Sequence, residues 1–186
     1  NPPISSSYQF LSKIDPSGTK LVYSTFLTLF SHGIAVDDSE HVYIGYDSQK
    51  FPVTPGVYNT DTSQGYGFCK FAPEGNRLVY STRIFEYAGI LGVDSLGRVY
   101  IGGNTNGKDK LPVTLDAYDE SFNGGANDIY FCVFDPAGSK LLYATYFGGT
   151  GDDVCTDFTV VGTGEVYLTG FTTSPDFPTT DGAYCR

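Results

Sequence analysis

Three times along this chain a turn built on proline and glycine runs into nearly the same short strand. The turns are Asp15-Pro16-Ser17-Gly18, Ala72-Pro73-Glu74-Gly75 and Asp135-Pro136-Ala137-Gly138. The strands that follow read Leu21-Val22-Tyr23-Ser24-Thr25, Leu78-Val79-Tyr80-Ser81-Thr82 and Leu141-Leu142-Tyr143-Ala144-Thr145. A second signature comes after each copy: Val42-Tyr43-Ile44-Gly45, Val99-Tyr100-Ile101-Gly102 and Val166-Tyr167-Leu168-Thr169-Gly170. A Pro-Thr element closes the unit at Phe51-Pro52-Val53-Thr54, Leu111-Pro112-Val113-Thr114 and Phe177-Pro178-Thr179-Thr180. The turn glycines are 57 and 63 residues apart and the Val-Tyr pairs 57 and 67. A period of that length, made of strand motifs, belongs to a propeller or solenoid that stacks one supersecondary unit.

Composition agrees with strands. The chain carries 15 Tyr, 14 Phe and 23 Gly in 186 residues, and no window sustains a 3.6-residue apolar period, so helix should be nearly absent. A net charge of −10 with only 11 scattered Lys and Arg argues against nucleic acid and against an anionic membrane surface, both of which are held by clustered cations. No run approaches a membrane span, so membrane insertion is not expected. Met is absent, position 1 included, which leads us to expect a mature or trimmed soluble chain, with residues 1–7 as a linker end or arm.

Pro at the first central turn position presets φ and Gly accepts a positive φ, so each Pro-Gly turn should close a hairpin. Four strands per unit follow, near 8–14, 19–28, 33–37 and 41–46 in the first copy. The second has them near 66–72, 77–84, 89–94 and 98–103, the third near 129–135, 139–147, 156–161 and 165–171. Val36-Asp37-Asp38-Ser39-Glu40-His41-Val42 and Val93-Asp94-Ser95-Leu96-Gly97-Arg98-Val99 read as the second hairpin of their units. Four antiparallel strands with apolar residues on both faces, as in Tyr130-Phe131-Cys132-Val133-Phe134, describe a β-propeller blade.

These motifs, from about Tyr8 to Tyr184, resemble the bacterial SBBP-type repeat, named for seven-bladed propellers and found in large secreted and cell-surface proteins; the stretch 172–184 is the nearest to the pattern. The resemblance implies an extracellular setting; it does not imply a catalytic activity. It also implies that the Gly-Ile-Ala-Val-Asp strand is innermost and Leu-Val-Tyr-Ser-Thr outermost. On that phase 8–32 is an outer half-blade, 33–88 and 89–155 are blades, and 156–186 is an inner half-blade. The sequence departs from the pattern at Thr28-Leu29, where the third copy has Gly148-Gly149. The expected fold is thus all-β, a propeller-type array of three four-stranded blades within 8–186 that is incomplete as a single chain, since rings take about 4–8 blades.

Candidate sites are sparse. Nine tyrosines recur with the repeat (23, 80, 143; 43, 100, 167; 58, 118, 184) and read as packing. Tyr46, Tyr66 and Tyr87 stand outside it and are the candidates for ligand contact. His32 and His41 sit beside no nucleophile motif and in no metal-ligand spacing, and both are expected at the surface. Asp152, Asp153 and Asp157 follow a Gly-rich turn and could hold calcium through hard oxygen ligands; a solvated connection is the competing reading. No catalytic constellation is found, and the chain is read as non-enzymatic. Four cysteines without a Cys-x-x-Cys pair argue against zinc. Cys155 and Cys185 should lie at the same end of the last hairpin and could be disulfide-bonded. Cys69 and Cys132 align with Ser12; buried thiols and inter-chain bonds both remain open for them.

Long, dissimilar connections (47–65, 104–128, 171–186) should share one end of the array. Two functions follow as expectations: an extracellular structural protein completed by neighbouring chains as an oligomer or fibre or by the rest of a longer surface protein, or a binding module for surface glycan or adhesion.

Overall fold

The computed structural model describes residues 9–63, 65–108 and 110–184, and the chain is all-β over them. Twelve strands are present: β1 (Gln9–Ile14), β2 (Leu21–Leu27), β3 (Phe30–Val36), β4 (Val42–Asp47), β5 (Tyr66–Phe71), β6 (Leu78–Arg83), β7 (Ile90–Val93), β8 (Val99–Thr105), β9 (Asp128–Phe134), β10 (Leu141–Phe147), β11 (Asp153–Val161) and β12 (Glu165–Thr172). They form four antiparallel sheets in chain order: β1-β2, β3-β4-β5-β6, β7-β8-β9-β10 and β11-β12. The expected strands are all found, and β11 begins at Asp153 rather than near 156 because a register shift between Cys155 and Asp157 lets the strand continue past a bulge.

Each Pro-Gly turn closes its hairpin as its residues require. Gly18, Gly75 and Gly138 have φ of 73°, 66° and 63°, and each donates its N–H to the carbonyl three residues back at 2.8–2.9 Å. Asp15 and Asp135 add carboxylate bonds to the N–H groups four and five residues on, an Asx anchor that Ala72 cannot supply.

Consecutive sheets share buried clusters. Leu11 and Leu27 of the first sheet pack with Val42, Ile44, Cys69 and Phe71 of the second. Tyr43, Phe68 and Tyr80 of the second join Val99, Ile101, Tyr130 and Phe134 of the third. Phe158 of β11 closes on Tyr100 and Val133. The first strands of successive sheets, β3, β7 and β11, lie against one another. Glycine in the second signature makes this approach feasible: a Cβ on Gly45 would run into the Ala88 carbonyl, and one on Gly102 would sit 2.8 Å from the Phe158 ring.

After β4 and β8 the Pro-Thr segments return along the last strand of their own sheet. Thr54 N–H donates to Ser81 O and Thr114 N–H to Ala144 O, both at 3.1 Å, and the Thr54 and Thr114 hydroxyls bond the same residues. These bonds cover part of an edge that would otherwise be exposed.

Candidate interaction edges

In the middle sheets the outer edges of the last strands, β6 and β10, are partly covered by the segments that follow β4 and β8. The two-stranded end sheets leave open the edge that, in the middle sheets, joins the second strand to the third: among the described residues nothing pairs with the second edge of β12 or of β1. Exposed apolar side chains gather there. Phe10, Ile14, Leu21, Val22 and Phe26 of β1-β2, and Tyr167, Leu168 and Phe171 of β12, all lie in solvent. Beside β12 runs a groove of about 270 Å³ lined by Ile129, Phe147, Val154, Leu168, Phe171 and Phe177. A second, of about 290 Å³, separates β1 from β3 and β4, between Leu11, Ile14, Tyr23, Ile34 and Val42. Strand edges with apolar flanks are the sites where another strand adds.

The repeat positions report what is missing around them. Tyr43 and Tyr100 are buried, their hydroxyls donating to Asp37 and Asp94 at 3.0 Å. In the fourth sheet the aspartate position is Val161 and Tyr167 is 63% exposed. Asp94 also accepts from the Arg98 N–H at 2.9 Å and from Arg98 Nε at 2.6 Å. Burial opposes its ionisation, but the Arg98 and Tyr100 bonds outweigh it and hold the carboxyl below its usual range. Asp37 behaves alike: against burial, the bonds from the His41 N–H, Tyr43 and Lys70 lower it. Tyr100 is pushed up to about 12, by burial first and then by Asp94.

The predicted contact tyrosines separate. Tyr46 is not at the surface: it is fully buried, with its hydroxyl on Ser81 Oγ at 2.8 Å and Thr82 O at 3.1 Å. Tyr66 and Tyr87 do meet, edge to face with centroids 5.9 Å apart, and His32 lies over Tyr87 at 4.4 Å. This aromatic group is at the long-connection end of the sheets. His32 is exposed, whereas His41 is half-buried against Asp37 at 3.3 Å.

The three candidate calcium ligands do not converge. Asp153 is buried, with Oδ2 accepting from Gly149 N–H and Ser174 Oγ at 2.7 Å. Asp152 accepts from Ala126 N–H, and Asp157 is exposed on the far side of the bulge. Among the described residues no three His, Cys, Asp or Glu side chains form a metal-binding group. Asp153 instead neighbours Asp128, whose carboxyl is raised by burial and, to a lesser degree, by the charges of Asp153 and Asp119.

Cys69 and Cys132 are fully buried, and burial pushes both thiols up. They are core residues, out of reach of inter-chain bonding. Cys155 is also buried, its Sγ 3.4 Å from Asp157 O; the Cys155–Cys185 bond involves Cys185, which lies outside the described residues.

Sequence reasoning passed over Arg83. It is fully buried and donates to four carbonyls: Ser48 at 2.5 Å, Phe51 at 2.9 Å, and Gly65 and Gln49 at 3.1 Å. Its only signal is a charge on the last strand of the second sheet where the other copies have Phe26 and Tyr146. No family model and no curated protein matches this chain.

Proposed function

We propose that the chain is a non-enzymatic structural protein of an extracellular assembly: propeller-type blades whose two-stranded end sheets are completed by neighbouring chains. The observation that carries this reading is the coincidence of unpaired middle-strand edges with exposed apolar side chains on β1-β2 and β12. Folded proteins avoid such edges, and adding strands pairs a whole row of backbone groups while it buries those side chains. The extracellular setting rests on the SBBP-type resemblance, under which the rest of a longer surface protein could supply the same strands. Over the described residues each chain holds strands for three four-stranded units, and two such sets joined head to tail make six blades, within the usual range of about 4–8. If the rotation does not close, the same contact propagates a fibre.

Sedimentation and electron microscopy at micromolar concentration test the proposal. A closed particle or filament is expected, and deletion of residues 1–28 should abolish it and leave a poorly soluble remainder. A stable monodisperse monomer overturns it. The second reading, a glycan-binding or adhesion module, is favoured by one observation: the Tyr66–Tyr87–His32 stack at the long-connection end, beside a recess of about 300 Å³ bounded by Gly89, Asn104 and Thr156. Aromatic faces of that kind suit the apolar face of a sugar.

A further inference from the structure

We infer that β12 pairs antiparallel with β1 of a second copy of this chain, with Val166 opposite Ile14, Leu168 opposite Ser12 and Gly170 opposite Phe10. The inference rests on the assembly reading and adds its partner and register. β4 and β8 occupy in their units the place of β12, and β5 and β9 the place of β1. Their observed pairings therefore serve as templates, and three independent features of the end strands match them.

The first is an exchange of glycine and aromatic across one cross-strand pair. In the second sheet Tyr46 faces Gly67; in the third, Gly103 faces Tyr130. The ring changes strand, yet each sheet holds one aromatic and one glycine at this pair. A Cβ on Gly67 would lie 2.5 Å from the Tyr46 hydroxyl, and one on Gly103 3.0 Å from the Tyr130 ring, so two side chains would not fit. The equivalent positions in the end strands are Gly170 and Phe10, again one glycine and one aromatic, and Phe10 is 68% exposed.

The second is charge against ring. Lys70 opposes Tyr43 in the second sheet, donating to its hydroxyl at 2.6 Å with Nζ 4.7 Å from the ring centre. The inferred register sets Lys13 opposite Tyr167, the same two residue types on the same two strands.

The third lies between neighbouring sheets. The Tyr23 ring covers Gly75 of the next sheet's turn, and the Tyr80 ring covers Gly138. Tyr143 is the third member of that series, and the turn it would cover is the one at Gly18. Gly18 has open space around it in this chain. A second copy docked through β1 brings its Gly18 to Tyr143, and its Ser24 to the position where Thr180 would repeat the Thr54–Ser81 bonds.

Cysteine pairs test the register. Directly opposed residues have Cα atoms about 4.5–5.5 Å apart, within the range of about 4.4–6.8 Å that a disulfide spans. Ser12→Cys with Leu168→Cys, oxidised under assembly conditions, should give covalent dimers and higher species. Lys13→Cys with Leu168→Cys is shifted by one residue, so its side chains leave opposite faces, and it should link at least roughly tenfold less. Neither strand position is in the core, and each single variant controls for the native thiols. In parallel, Phe10→Ala should weaken self-association at least roughly tenfold without changing the thermal melt of the dilute chain. Assembly with equal linking by both pairs, or one indifferent to Phe10→Ala, overturns the register and leaves the assembly reading standing. A monomer at every concentration overturns both.

Discussion

In the two middle sheets the tyrosine after the repeated valine is buried, Tyr43 at 0% exposure and Tyr100 at 3%, while its counterpart Tyr167 in the fourth sheet is 63% exposed. The last strands show the same contrast. Arg83 and Tyr146 are buried, and Phe26 at the equivalent place in the first sheet lies 63% in solvent. One motif thus meets two environments, and what separates them is the number of strands in the sheet and the presence of a sheet on both faces. A repeat unit does not bury its own apolar residues; its neighbours do. The end sheets carry side chains suited to a packed interior that this chain by itself does not provide.

The largest effect is expected where a middle-sheet residue has no equivalent use at the ends. Arg83→Leu removes the guanidinium from four carbonyls; Gly65 O keeps the Ser48 N–H and Ser48 O the Phe51 N–H, while the Gln49 and Phe51 carbonyls lose their side-chain donor. The cost should be about 3 kcal/mol, since a buried acceptor left without a partner costs roughly 1–3 kcal/mol. Phe26→Leu, at the same repeat position, should shift the dilute chain's unfolding by less than about 0.5 kcal/mol because the ring is already largely hydrated. Chemical denaturation of the two variants checks this, and equal losses would break the contrast between middle and end sheets.

The turn glycines sharpen it further. Alanine at any of the three meets the same backbone penalty, about 1 kcal/mol for a left-handed φ. At Gly138 the new methyl would also lie 2.6 Å from the ring of Tyr80, which is buried and has little room to move. Gly138→Ala should therefore cost about 2–4 kcal/mol, and Gly18→Ala, with nothing within 4 Å, about 1 kcal/mol in the dilute chain. Thermal melts of the two variants measure the difference. In assembled material Gly18→Ala should become about as damaging as Gly138→Ala if Tyr143 of a neighbour covers that glycine.

The turns and strands were legible because their causes are local. Proline and glycine fix the reversals, and alternating Val, Tyr, Ile and Thr mark the strands. Tyr46 was misread as a surface candidate because its place is kept by a pair, not by a position: the compensating glycine is on β5 in one sheet and on β8 in the next, a relation that only strand register reveals. Arg83 was missed because a buried guanidinium is defined by where four loop carbonyls converge, and no spacing in the sequence encodes that. Asp152, Asp153 and Asp157 looked like a ligand set because they are close in sequence, but Asp153 is buried on Gly149 and Ser174, Asp152 is bonded to Ala126, and Asp157 lies exposed beyond the bulge.

A pH-dependent contrast concerns the aspartate that the fourth sheet lacks. Asp94 anchors its turn through the Leu96 and Arg98 N–H groups, Arg98 Nε and the Tyr100 hydroxyl, and Val161, which replaces it in the fourth sheet, has no carboxylate to make them. Asp94→Ala should cost about 2 kcal/mol at neutral pH, as expected for charge-assisted bonds to a buried carboxylate. Because the folded carboxyl ionises below its ordinary value of 3.8, its stabilisation is present in full above that value and is lost as pH falls through the depressed folded one. Tyr100 sets the upper limit. Its hydroxyl is raised from 10.0 to about 12, so the folded state favours the neutral phenol, and that contribution disappears as pH rises from about 10 towards 12. The gap in stability between the parent chain and Asp94→Ala should be level from about pH 5 to 9 and narrow on both sides. Urea unfolding across pH measures the gap directly, and one that stays constant below pH 3 would show that the Asp94 carboxylate charge plays no part in holding the turn.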